Sequence, residues 1–67
     1  MLKEHSSLTS TVATISGEEA NALVEVTAYM KKYPAGGYGT HIESITKSDV
    51  DGVMHRTFKI WRLNSCD

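Results

Sequence analysis

Ser16-Gly17-Glu18-Glu19-Ala20-Asn21-Ala22-Leu23-Val24-Glu25-Val26-Thr27-Ala28-Tyr29-Met30-Lys31-Lys32-Tyr33-Pro34 is the stretch whose reading decides the fold. It is rich in good helix formers and free of breakers until Pro34, which predicts a helix from Glu18 to about Lys32. Ser16 and Glu19 match the Ser-x-x-Glu capping box, in which the hydroxyl accepts from an amide of the first turn and the carboxylate reaches back. Ile15 and Ala20 stand where a hydrophobic staple would close that end. Pro34 drives Tyr33 out of helical geometry, and Gly36-Gly37 let the chain reverse.

At 100° per residue, Ala20, Ala22, Leu23, Val24, Val26, Thr27, Met30 and Tyr33 share one arc of roughly 200°, interrupted by Glu19 and Lys31. A helix lying on one sheet needs an apolar stripe only somewhat wider than about 100°. The expected sheet-facing side is Leu23, Val24, Thr27 and Met30, against Val12, Ile42, Phe58 and Ile60. The rest of the arc, Ala22, Val26 and Tyr33 with Tyr29 at its border, is then a candidate subunit contact.

Upstream, Leu8 to Ile15 is dense in β-branched side chains and lacks Gly and Pro, which predicts a strand. Residues 1–7 are expected to be a flexible lead-in, and residues 64–67 a C-terminal tail. Downstream, Asp49-Val50-Asp51-Gly52 suits a three-residue hairpin loop in which Gly takes the left-handed position. That geometry sets Asp49 opposite Val53. One face then pairs Ile42 with Ile60, Ser44 with Phe58 and Ser48 with Met54. The other pairs His41 with Trp61, Glu43 with Lys59, Ile45 with Thr57 and Lys47 with His55. A two-residue turn on Asp51-Gly52 would bring Glu43 beside Ile60, so the three-residue loop is preferred. Ile45 and Trp61 share the second face and join the candidate subunit contacts.

The resulting expectation is one small α+β domain over residues 1–67. It is a β-α-β-β unit with one helix packed across a three-stranded sheet that ends in a β-hairpin. Parallel pairing of its first two strands would require a right-handed crossover.

Length and composition narrow the function. A 67-residue chain of 7.4 kDa has no room for a second core or a multi-lobed enzyme cleft. A domain this small buries only about 60% of its unfolded surface and commonly needs disulfides, a metal or partner subunits. Cys66 is the only cysteine, so no intrachain disulfide can form. His5, His41, His55 and Cys66 lack metal-ligand spacing, so neither a metal nor another cofactor is expected. Self-association remains, with a homodimer as the default.

Residues 1–39 carry three Lys against four Glu, and residues 40–67 carry four Lys or Arg against four Asp or Glu. Neither half has the basic excess of a polyphosphate binder. No apolar run reaches membrane-spanning length and no signal-like h-region is present, so the chain reads as soluble and cytoplasmic. A Cys66 thiolate beside His41 or His55 would make a nucleophile and base, but a penultimate position argues against catalysis. The chain therefore reads as non-enzymatic.

The glycine-rich segment Gly36-Gly37-Tyr38-Gly39-Thr40-His41 could line a small-ligand pocket for a nucleotide or metabolite. It follows a helix C-terminus, however, which disfavours anions. Arg56, Lys59 and Arg62 beside Phe58 and Trp61 suggest a nucleic-acid ribbon. Strand alternation divides these cations between two faces, and Glu43 is expected to neutralise Lys59. The favoured function is a small oligomeric binding or interaction protein, of a size that suits a phage or mobile-element accessory protein. A small-ligand binder is the first alternative and a weak nucleic-acid binder the second.

Overall fold

Two β-hairpins flank the predicted helix in the computed structural model, which describes residues 1–65. The elements run β1 (Leu2–Ser6), β2 (Ser10–Glu18), α1 (Glu19–Lys32), α2 (Ala35–Tyr38), β3 (His41–Val50) and β4 (Val53–Leu63). They form an α+β fold with one four-stranded antiparallel sheet, ordered β1-β2-β4-β3. The chain enters the sheet one strand earlier than the sequence suggests. Residues 2–6 pair along β2 from Leu2 with Ile15 to Ser6 with Thr11. All five β1 residues are exposed, so no apolar alternation marks the strand. Distant bonds hold the turn that follows it: Asn64 Nδ2 donates to Ser7 O at 2.9 Å, and Asn64 N donates to Thr9 O at 3.0 Å.

The two strands joined by the helix are not neighbours. The crossover through α1 leads from β2 to β3, and β4 inserts between them, antiparallel to both. Strand β2 also runs further than expected, to Glu18, so Ser16 pairs with Thr57 in the sheet and caps nothing. The helix begins without a side-chain cap bond. Glu19 instead accepts from Arg56 Nε at 2.5 Å. Gly17 permits the continuation, because its φ of 149° is one that side chains rarely adopt.

Of the flank expected to face the sheet only Met30 packs against the core, and helix α1 rests on β2 and β4 mainly through its other side. Ala22, Val26 and Tyr29 are buried against Ala13, Ile15, Phe58 and Ile60 of their own chain, with Met30 and Tyr33 packed at the margin. These residues are therefore not available as the exterior subunit contact inferred from the sequence. Leu23 and Val24 remain 48% and 68% exposed. Both flanks are apolar, and the larger aromatic area decides between them: Tyr29 and Tyr33 bury more surface than Leu23 and Val24 and also find polar partners for their hydroxyl or ring.

The β3-β4 turn is the two-residue form. Asp51 and Gly52 both have positive φ, 53° and 81°, as a type I′ turn requires. Asp49 Oδ1 accepts from Gly52 N at 2.9 Å. Pairing therefore runs Val50 with Val53, Ser48 with His55, Ile45 with Phe58 and Ser44 with Lys59, one residue off the anticipated register. A bulge between Ile42 and Ser44 absorbs the difference and restores Ile42 with Ile60 and His41 with Trp61. Bulging Glu43 out of the ladder removes the clash with Ile60 that had argued against this turn. As a consequence Ile45 lies on the helix side with Phe58, not on the face of Trp61.

A 14-residue helix spans about 21 Å. The 11-residue β4 runs about 36 Å. The hairpin tip thus projects past the helix, and the molecule measures 44 × 20 × 15 Å. Its surface is 4498 Å², against about 4,200 Å² for a monomer of this mass by size scaling.

Candidate functional site

Sheet register distributes the chemistry-bearing residues between two faces. On the helix side, β4 presents Arg56, Phe58, Ile60 and Arg62, opposite Gly17, Ile15, Ala13 and Thr11 of β2. Arg62 is buried there, and each bond of its guanidinium has a named acceptor. Nε donates to Tyr29 Oη at 2.7 Å, Nη2 to Glu4 Oε2 at 3.1 Å, and Nη1 to Leu63 O at 3.0 Å. Tyr29 Oη in turn donates to Glu4 Oε2 at 2.9 Å. The guanidinium also lies 3.8 Å from the centre of the Tyr33 ring. Burial works against its charge, but the bonds to Tyr29 and Glu4 outweigh that and raise its pKa. Arg56 is engaged with Glu19. The two arginines suggested as phosphate contacts are thus held by carboxylates and work as struts between helix and sheet.

The other side of the sheet has no helix over it. Successive rows of paired residues cross it: His5-Val12-Trp61-His41, then Lys3-Thr14-Lys59-Ser44, then Ser16-Thr57-Thr46. The next row, Glu18-His55-Ser48, carries a carboxylate, three rows from Trp61. Lys59 faces Ser44 and not Glu43, so the expected neutralisation is absent, and among the described residues Lys59 has no ion pair. The His41 and Trp61 rings lie 5.3 Å apart at 32°. Trp61 is half-buried and His41 exposed. Despite a net charge of −1, this face carries local positive charge around one aromatic ring.

The glycine-rich segment closes on itself at the corner of the sheet. Gly36 and Gly37 sit in α2 and are exposed. Gly39, in the left-handed conformation, donates its amide to Ala35 O at 3.0 Å and backs onto the Trp61 ring. Tyr38 packs edge-on against Tyr33 at 5.1 Å. Thr40 is buried, and its hydroxyl has no hydrogen-bond partner. Of these six candidates only His41 belongs to the open face, where its Nδ1 lies 3.1 Å from Gly39 O. Replacing Thr40 by valine removes an unsatisfied buried hydroxyl and is expected to leave stability unchanged or raise it by about 1 kcal/mol. A urea midpoint that falls in Thr40→Val would show that the hydroxyl is bound.

Of the candidate contact residues, Ala22, Val26 and Tyr29 are core and Tyr33 is half-buried between Tyr29, Tyr38 and Arg62. Ile45, 49% exposed, and Trp61 lie on opposite faces. The exposed apolar surface of the helix is the flank expected to be buried, an open groove lined by Leu23, Val24, Thr27, Ala28 and Lys31. Sequence reasoning missed Lys3 and His5 as members of the open face, because their strand had no apolar signal. Cys66 lies outside the described residues. Among those residues, no group of three or more His, Cys, Asp or Glu could hold a metal ion, and no helix is long and apolar enough to cross a membrane. Neither a family model, a curated protein nor a solved structure matches the chain.

Proposed function

We propose that this protein is a non-enzymatic binding module that works as an oligomer. The observation that carries this reading is β3, a ten-residue edge strand whose residues are all exposed, Ile42 and Ile45 among them. An unpaired edge of that length offers a row of backbone donors and acceptors to another chain, and apolar side chains along it favour desolvation on pairing. The expected solution mass at micromolar concentration is at least twice 7.4 kDa. A mass of 7.4 kDa by light scattering at that concentration would refute the reading.

A second reading is supported by the open sheet face. Trp61, His41, His5, Lys3 and Lys59 combine a stacking surface with cations, the chemistry by which single-stranded nucleic acids are held. Trp61 is the only tryptophan, so its fluorescence reports directly on this face. Titration with a single-stranded oligonucleotide is expected to quench it, with affinity that falls as salt rises and falls further in Lys59→Ala. Unquenched emission at low salt would exclude this binding.

A further inference from the structure

The sequence of β3 is complementary to itself when reversed. From Glu43 the strand reads Glu-Ser-Ile-Thr-Lys, with Ile45 at its centre and opposite charges two residues to either side. We infer that the partner of this edge is a second copy of the same chain, joined β3 to β3 about a twofold axis at Ile45. The inference rests on the oligomeric reading above and names its surface and register.

A twofold axis perpendicular to an antiparallel pair sets one residue directly opposite its own copy. With Ile45 at that point, Glu43 of each chain faces Lys47 of the other, and Ser44 faces Thr46. Moving the axis to Thr46 would oppose Glu43 to Asp49, two carboxylates. Moving it to Ser44 would oppose Lys47 to His41 and Glu43 to Ile45. Opposite charges across a strand pair stabilise it and like charges oppose it, so charge selects the Ile45 register.

The side-chain geometry agrees. Ile45 pairs with Phe58 and Lys47 with Arg56, which puts both on the helix side of the sheet, and the two-residue period brings Glu43 to the same side. The bulge at Glu43 frees that residue from β4 and leaves it at the strand margin. Helix α1 rests on β2 and β4, leaving Ile45 exposed beside it. Joining the edges makes one continuous eight-stranded sheet with both helices on one side. At a strand spacing of about 4.8 Å, the helix axes stand roughly 19 Å apart, too far for direct packing. The interface therefore consists of the backbone ladder, the two Ile45 side chains and the paired Glu43 and Lys47 charges.

Charge reversal tests the register. Glu43→Lys and Lys47→Glu each place like charges opposite one another twice per dimer, and each is expected to raise the dimer dissociation constant by about tenfold. The double variant restores opposite pairing and is expected to return to the wild-type constant. Cross-linking gives an independent readout in a Cys66→Ser background. Directly opposed residues lie about 4.5–5.5 Å apart between Cα atoms, within disulfide range. Ile45→Cys is therefore expected to form a covalent dimer with oxidised glutathione. In Thr46→Cys the two cysteines lie about 8 Å apart, beyond that range, and stay reduced.

A dimeric wild type with no Ile45→Cys cross-link and no response to charge reversal would overturn this interface while leaving the oligomeric reading intact, and would point to the Leu23 flank of α1. Cross-linking of Thr46→Cys in place of Ile45→Cys would overturn the register. A monomeric wild type would overturn both readings.

Discussion

Truncating Ile60 to alanine is expected to lower the unfolding free energy by about 3–4 kcal/mol. Ile60 is fully buried in the middle of β4, between Ala13 on β2 and Ile42 on β3, beneath the helix. Its small cross-strand neighbour Ala13 cannot expand to fill the space, so much of the cavity persists. A domain of this size has roughly 3–10 kcal/mol of stability in total, so the loss would consume much of it. Ile42→Ala is the internal control. Ile42 is directly opposite on the same face but 39% exposed, and its truncation is expected to cost less than about 1 kcal/mol. Urea melts measure both: the Ile60→Ala midpoint falls sharply with an unchanged slope. Equal costs at the two positions would contradict the core described above.

Arg62→Ala is expected to cost about 2–3 kcal/mol. Loss of one member of a buried ion pair costs about 3–5 kcal/mol, but Glu4 is 36% exposed and can rehydrate, which reduces the figure. The loss includes the guanidinium stacked on Tyr33, an interaction worth up to about 2 kcal/mol when desolvated. Arg62→Lys keeps the charge without the planar fork that serves Tyr29, Glu4 and Leu63 together, so it is expected to recover only part of the loss. Full recovery by lysine would reduce the cluster to a simple charge.

The same cluster gives stability an alkaline limb. Burial, the largest influence, raises the Tyr29 phenol pKa above its ordinary value of 10.0; the Arg62 bond opposes this and the Glu4 bond adds to it. The unfolded chain therefore releases the phenol proton at lower pH than the folded one. The resulting stabilisation is complete below pH 10.0 and is lost as pH rises through the higher folded value. Unfolding free energies measured on either side of pH 10.0 are expected to fall less steeply in Tyr29→Phe than in wild type.

Legibility differed from element to element. The helix was readable to within a residue, because the run of helix formers acts locally and Pro34 sets its end, although Ser16 does not cap its start. The hairpin was readable in its location and in two pairs, Ile42 with Ile60 and His41 with Trp61, but its turn was not. Choosing between two- and three-residue loops by the fit of Glu43 assumed an unbroken ladder, and the bulge breaks that assumption. The error propagated to the candidate surface: it put Ile45 on the wrong face and assigned Glu43 to Lys59. With β1 also missed, the face expected to carry His41, Lys59 and Trp61 lacked Lys3 and His5.

By itself the sequence determined where the helix lies and where the second hairpin reverses, since those depend on neighbours a few positions away. Tertiary structure alone decided which flank of α1 is buried. Two apolar flanks compete on that helix, and the outcome depends on whether Tyr29 can reach Arg62, 33 positions along the chain, and Glu4, 25 positions before it. A phenol buried without those partners would be costly, whereas with them it carries the larger aromatic flank into the core, and Leu23 and Val24 are left facing outward.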